Sequence, residues 1–196
     1  KEVKRATVHI AGMGLYELFI NGQRIGEQVL APAPTDYRKT ILYNTYDVTP
    51  QLQKENAIGV ILGNGRFYTM RQNYKPYKIP TFGYPKLRLN LIIEYTDGSR
   101  QTIASDISWK LTTEGPIRSN NEYDGEEYDA RKELGDWNRT GYDDTNWIPA
   151  GRVSIPSGTL RAQMMPGMKV TESLKPVSIR KQGDKHILDI GQNMAG

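Results

Sequence analysis

Two stretches of this 196-residue chain concentrate the side chains that could do chemistry. The first is acidic. Residues 122–129, EYDGEEYD, hold Glu122, Asp124, Glu126, Glu127 and Asp129. Calcium takes about six to eight oxygens from carboxylates and carbonyls, which makes Asp124, Glu126 and Glu127 candidate ligands, although the spacing is not that of an EF-hand loop. Glycoside cleavage needs two carboxyls roughly 5–10 Å apart across a sugar, and this segment is rich enough to supply such a pair. On a strand, residues 124 and 126 share one face and one of the two alternating sets stays solvated. The plainer reading is an exposed acidic loop that pairs with Arg131 and Lys132.

The second stretch is aromatic and cationic. Residues 64–84, NGRFYTMRQNYKPYKIPTFGY, carry Phe67, Tyr68, Tyr74, Tyr77, Phe82 and Tyr84, interleaved with Arg66, Arg71, Lys75 and Lys78. Aromatic rings stack on the apolar face of a sugar while polar neighbours fix its hydroxyls. On that reading Asn64, Arg66, Tyr68, Tyr74 and Tyr77 form a carbohydrate site. The same rings, with hydroxyls at a polar rim, suit a surface that packs on a neighbouring domain. Aromatics beside cations also serve to stack nucleobases. A loop this long between strands tends to carry function.

Other chemistry is excluded or unsupported. Zero Cys rules out disulfides, zinc clusters and thiol catalysis. The two histidines, His9 and His186, fall in strand-like segments and read as structural; no Ser elbow accompanies them. Gly63-Asn64-Gly65 lacks the Lys-Ser/Thr ending of a phosphate loop, and Gly12-Met13-Gly14 reads as a bend. The net charge of +4, from 26 basic and 22 acidic residues scattered along the chain, predicts no nucleic-acid partner. No apolar run approaches 18 residues, so no membrane span is expected. Lys1–Arg5 is no signal peptide and says nothing about export.

The elements that must position these side chains repeat with period two. In 86–95, KLRLNLIIEY, Leu87, Leu89, Leu91, Ile93 and Tyr95 share one face, opposite Lys86, Arg88, Asn90 and Glu94. This is a half-buried antiparallel strand. It turns at Asp97-Gly98 into 101–104, and a second hairpin over 16–26 turns at Asn21-Gly22. Ala6, Val8 and Ile10 mark the strand before it, and apolar 56–62 reads as a strand buried on both faces. Further strands are expected at 107–112, 168–173 and 185–190. One helical turn is expected at 48–53, capped by Asp47 or Thr49, with Pro50 in its first turn. Trp109, Trp137 and Trp147 are expected to serve structure, the last two bracketing a turn-rich stretch in which Asp143 and Asp144 accept backbone amides. The fold class is all-β: a jelly-roll or galactose-binding-like sandwich of antiparallel strands. The pattern restarts after Gly158, which divides the chain into a sandwich over 1–158 and the start of a second β-domain over 159–196.

Several segments together resemble the N-terminal β-sandwich region of bacterial α-L-rhamnosidases of glycoside hydrolase family 78. They are GLYELFINGQRIG (14–26), LAPAPTDYRKTILYNTYDVT (30–49), NAIGVILGNGRFY (56–68), NEYDGEEYDAR (121–131) and GDWNRTGYDDTNW (135–147). ILDIGQNMAG (187–196) resembles the opening of the family's next domain. The chain departs from the family at Arg66-Phe67-Tyr68, where relatives usually carry Trp-Tyr. The resemblance implies a parent enzyme that removes terminal α-L-rhamnose with inversion, using acidic residues of a helical barrel for which this chain has no pattern. The acidic segment therefore does not inherit the catalytic role. The implied function is a non-catalytic module that packs on and shapes the catalytic domain. The alternative is an autonomous rhamnose-binding module; no cofactor is expected, calcium being the one ion that could assist it. The implied partners are a rhamnose-containing carbohydrate and the catalytic domain of the same polypeptide. A periplasmic or extracellular setting is expected ahead of a cytoplasmic one.

Overall fold

The computed structural model describes residues 1–69, 81–122 and 125–194. In chain order its strands are β1 (Val3–Met13), β2 (Leu15–Ile20), β3 (Gln23–Ile25), β4 (Thr40–Asp47), β5 (Ile58–Gly63), β6 (Lys86–Tyr95) and β7 (Arg100–Ala104). There follow β8 (Lys110–Leu111), β9 (Ile117–Asn121), β10 (Gly125–Tyr128), β11 (Ile148–Pro149), β12 (Thr159–Ala162), β13 (Ser178–Gln182) and β14 (Lys185–Asp189).

Two sheets enclose the main core. One runs in the order β12-β4-β1-β6-β7 and the other β3-β2-β5. Alternation decides which residues meet between them. Ala6, Val8 and Ile10 of β1 are fully buried, and Leu89, Leu91 and Ile93 of β6 lie beside them. Tyr16, Leu18, Ile20 and Ile25 answer from the opposite sheet. Each buried aliphatic side chain contributes roughly 1.5–3 kcal/mol. The register is antiparallel throughout, with Ile10 opposite both Asn44 and Leu89, except that β12 joins β4 in parallel, Thr159 opposite Thr40. The all-β sandwich read from the alternation is the fold observed.

The chain passes from one sheet to the other at Gly14, whose φ is +115°. A Cβ there would sit 2.3 Å from the Gly63 carbonyl oxygen, so only glycine allows the crossing. Asn21-Gly22 forms the expected hairpin turn with φ of +52° and +81°, as a two-residue turn compatible with strand twist requires. Gly98, at φ +81°, closes the second hairpin, its N–H donating to Tyr95 O at 3.0 Å.

Four local expectations change. Strand β5 is half-buried rather than buried on both faces, since it borders its sheet, with Val60 and Leu62 against the core. Residues 168–173 form no strand; only Lys169 makes a single bridge, to Gln28. The strand expected over 107–112 shrinks to Lys110–Leu111, because Asp106 engages the Ser108 N–H and hydroxyl and holds that stretch in a turn. The helical turn is a 3₁₀ turn over Thr49–Gln51, with the Asp47 carboxylate accepting from the Thr49 N–H at 2.9 Å. No helix among the described residues is long and apolar enough to cross a membrane.

Candidate functional site

The aromatic loop begins where β5 ends. Asn64 is bonded twice to Asn120 of β9: its N–H donates to Asn120 Oδ1 at 2.8 Å and its Nδ2 to Asn120 O at 2.7 Å. Its own carbonyl accepts from the N–H groups of Phe67 and Tyr68. Asn64 thus pins the loop start to the β9–β10 hairpin, and one amide proton a ligand would need is already engaged.

Arg66 leans the same way. Its Nε lies 2.7 Å from Glu122 Oε2 and donates to Oε1 at 3.0 Å. Both side chains are partly exposed, so the pair orients the loop and contributes little stability. Glu122 came from the acidic segment, whose other members separate: Asp129 is held by Arg131 at 2.8 Å, while Lys132 goes to Glu114 at 3.1 Å. Glu126 and Glu127 stand opposite Asn120 and Ser119 on β10, both exposed, and as neighbours on a strand they point to opposite faces. The strand does not bring these two carboxylates together. Asp124 lies outside the described residues, and no group of three metal-ligating side chains occurs among those described.

The rings divide by depth. Phe67 is fully buried, edge-on to Tyr37 at 5.0 Å and stacked on Phe82 at 5.4 Å. With Ala11, Met13 and Ile41 these rings form a second core on the outer face of the five-stranded sheet. Lys86 closes it, with Nζ 4.7 Å from the Phe67 ring centroid and donating to the Phe82 and Tyr84 carbonyls. Tyr68 and Tyr84 remain at the surface as a stacked pair, centroids 5.1 Å apart, with Tyr84 75% exposed. Loss of solvation, and then the Tyr84 hydroxyl beside it, raise the Tyr68 phenol above the ordinary tyrosine range. Tyr74 and Tyr77 lie outside the described residues. Asn64, Arg66 and Tyr68 are therefore brought together, but as one support of the fold and a two-ring surface rather than as a deep pocket. Asn120, Tyr37 and Lys86 carry this arrangement and escaped the sequence reading: Asn120 is 56 residues from Asn64 and carries no motif.

A groove of about 1340 Å³ lies elsewhere, lined by Trp109, Trp137, Trp147, Arg88 and Arg152 among others, with Asn64, Arg66 and Tyr68 outside its walls. The indoles there pack on protein. Trp137 is edge-on to Phe19 at 5.6 Å and stacked on Trp147 at 6.4 Å, and Trp109 packs on the main core. Asp143 accepts from the Thr145 N–H as expected, whereas Asp144 takes Lys110 Nζ at 2.7 Å.

Large apolar side chains stand exposed in the last third of the chain. Met164 is 91% exposed, and Met165, Met168, Val170, Val177 and Ile179 are also exposed. Strands β13 and β14 pair only with each other, Ile179 opposite Leu188. A lone two-stranded hairpin is marginal in water.

A family model described as the α-L-rhamnosidase N-terminal domain matches residues 1–172. An α-L-rhamnosidase of Formosa agariphila is 43% identical over 202 residues, taking in 100% of this chain and 21% of its own length. One of Streptomyces avermitilis is 36% identical over 208 residues, 100% of this chain and 19% of its own. Among solved structures, α-L-rhamnosidase from Dictyoglumus thermophilum superposes with a TM-score of 0.87 at 44% identity, over 98% of this chain and 21% of that one. The Streptomyces avermitilis enzyme complexed with L-rhamnose gives 0.89 at 34% identity, over 99% and 19%. The chain spans about a fifth of the length of the curated relatives it matches.

Proposed function

The chain belongs to the N-terminal domain family of α-L-rhamnosidases, and from that membership we propose that it is a non-catalytic β-sandwich that packs on the catalytic portion of the same polypeptide and helps to shape it. The whole protein, on this reading, hydrolyses terminal α-L-rhamnose from glycans or glycosides. The observation that carries the reading is the concentration of exposed large apolar side chains beyond residue 163, Met164, Met165, Met168, Val170, Val177 and Ile179 among them. The proposal includes a second β-domain. The self-paired Ser178–Asp189 hairpin favours it, whereas Thr159–Ala162 pairs with β4 and so argues against a start as early as 159. The test is deletion of this region from the long polypeptide. Aryl α-L-rhamnoside hydrolysis or the melting temperature of the remainder should fall, and residues 1–196 alone should release no nitrophenol. Full activity and unchanged melting after deletion would overturn the reading.

The stacked pair of half-buried Tyr68 and exposed Tyr84 near Arg66 favours one second reading, an autonomous module that recognises rhamnose. Titration of the chain with L-rhamnose, with calcium and then with chelator, decides it. Heat that disappears in Tyr68→Ala supports sugar binding, and heat that also needs calcium brings in Asp124, Glu126 and Glu127. No heat at tens of millimolar sugar removes it.

A further inference from the structure

Residues 163–168, QMMPGM, carry no charge, and their three methionines stand in solvent. The segment is nevertheless anchored. Val29 N–H donates to Met168 O at 2.9 Å, Lys169 bridges to Gln28, and the Gln163 side chain accepts from Ala33 N–H and donates to Met165 O. A Cβ on Gly167 would fall 2.5 Å from Gln28 Cδ, so the strap lies directly on that side chain. Gln28 is itself held: its Oε1 accepts from Asn44 Nδ2 at 3.2 Å, and Asn44 Oδ1 accepts from the buried Tyr16 hydroxyl at 2.9 Å. Beside the strap, Leu30 is exposed and sits at φ +52°. A leucine rarely adopts that backbone, and strain of this kind persists where the surroundings over-determine it.

We propose that the Met164–Met168 strap, with Leu30 beside it, is the seat for the catalytic portion of the same polypeptide. It is a fixed backbone presenting adaptable thioether side chains, a composition enriched at the centre of interfaces where charge is depleted. A tether that fixes the strap while leaving its methionines bare gives the occupant a surface already in shape, which lowers the ordering cost of docking. The occupant is part of the same chain because relatives are about five times longer than this region.

The inference rests on the docking reading above, and its failure is separable from that reading's failure. The experiment is methionine oxidation by dilute hydrogen peroxide, read by mass spectrometry, on the long polypeptide and on residues 1–196. Met13, 2% exposed, is the internal control that stays slow in both. Met164, Met165 and Met168 should oxidise quickly in residues 1–196 and at least about tenfold more slowly in the long polypeptide. Equal rates in the two proteins would overturn the inference, even where deletion of the region destabilises the enzyme. Protection that grows with the concentration of residues 1–196 alone would assign the strap to a second copy and overturn it as well.

Discussion

The indole of Trp137 occupies the space that a side chain at Gly59 would need. A Cβ built on Gly59 falls 2.5 Å from Cζ3 and 2.9 Å from Cη2. Gly59 is not among the positive-φ residues, so the constraint is space and not backbone. Overpacking of this kind costs about 1–3 kcal/mol, and Gly59→Val should fall in that range. Trp137→Ala should cost about 2 kcal/mol, less than a fully buried indole. The double variant should be less unstable than the sum, since removing the ring makes room for the valine. Urea unfolding of the four proteins checks this; simple additivity would deny the contact.

The two hairpin turns separate strain from crowding. Gly22 and Gly98 share a φ of +81°. The guanidinium of Arg139 lies 2.8 Å from a Cβ at Gly22, while nothing lies within 4 Å of one at Gly98. Gly98→Val should therefore cost about 1 kcal/mol from backbone strain alone. Gly22→Val should cost more, and Arg139→Ala should bring it closer to the Gly98 value. Melting temperatures of the three variants give the comparison.

Tyr16 and Asn44 form a buried polar link between the sheets, extended by the Tyr46 hydroxyl 2.9 Å from that of Tyr16. Burial, and then Tyr46, push the Tyr16 phenol far above its ordinary range, so it remains a donor at any working pH. Tyr16→Phe leaves Asn44 Oδ1 without that donor and should cost roughly 1–3 kcal/mol. Removing both partners with Tyr16→Phe and Asn44→Leu should cost less than the sum of the single changes. Chemical denaturation measures it, and a neutral Tyr16→Phe would contradict the role given to this link.

Four Asp residues are each followed two positions later by Ser or Thr that bonds back to the carboxylate: Asp47, Asp97, Asp106 and Asp143. Those hydroxyls, ahead of the backbone amides, hold all four carboxyls below the usual range. Asp97, with Lys1 helping, is lowered to about 2. A carboxyl whose folded pKa is depressed adds stability above its unfolded pKa near 3.9 and loses it as pH falls toward the folded value. Acid should thus loosen these turns between about pH 4 and pH 2, while neutral and alkaline conditions leave them intact. Carboxyl titration by NMR should show Asp97 moving upward in Ser99→Ala; an unmoved resonance would assign the shift elsewhere.

Period-two alternation determined the sandwich, because a strand with one apolar face has to bury it: Ala6, Val8 and Ile10 beside Leu89, Leu91 and Ile93 on one sheet need the cover that Tyr16, Leu18 and Ile20 give from the other. Turn chemistry was equally local. Asn21-Gly22 and Asp97-Gly98 sit where their backbone demands, and the Asp-x-Ser/Thr turns hold themselves.

The tertiary structure alone decided the rest, since contacts between distant residues leave no trace in spacing. Asn64 reads as a sugar ligand in sequence, but Asn120, far along the chain, engages its amide. Phe67 and Phe82 share one aromatic stretch with Tyr68, and only the packed chain separates them: Tyr37 and Met13 join them in a core from another loop and strand. The methionines of 163–168 look like core residues by type. They stand in water because Gln28, Val29 and Ala33 take up the strap's backbone and carbonyl partners and fix its outer side outward. Apolar character says that a residue must be covered; only the packed chain says whether the cover lies within it.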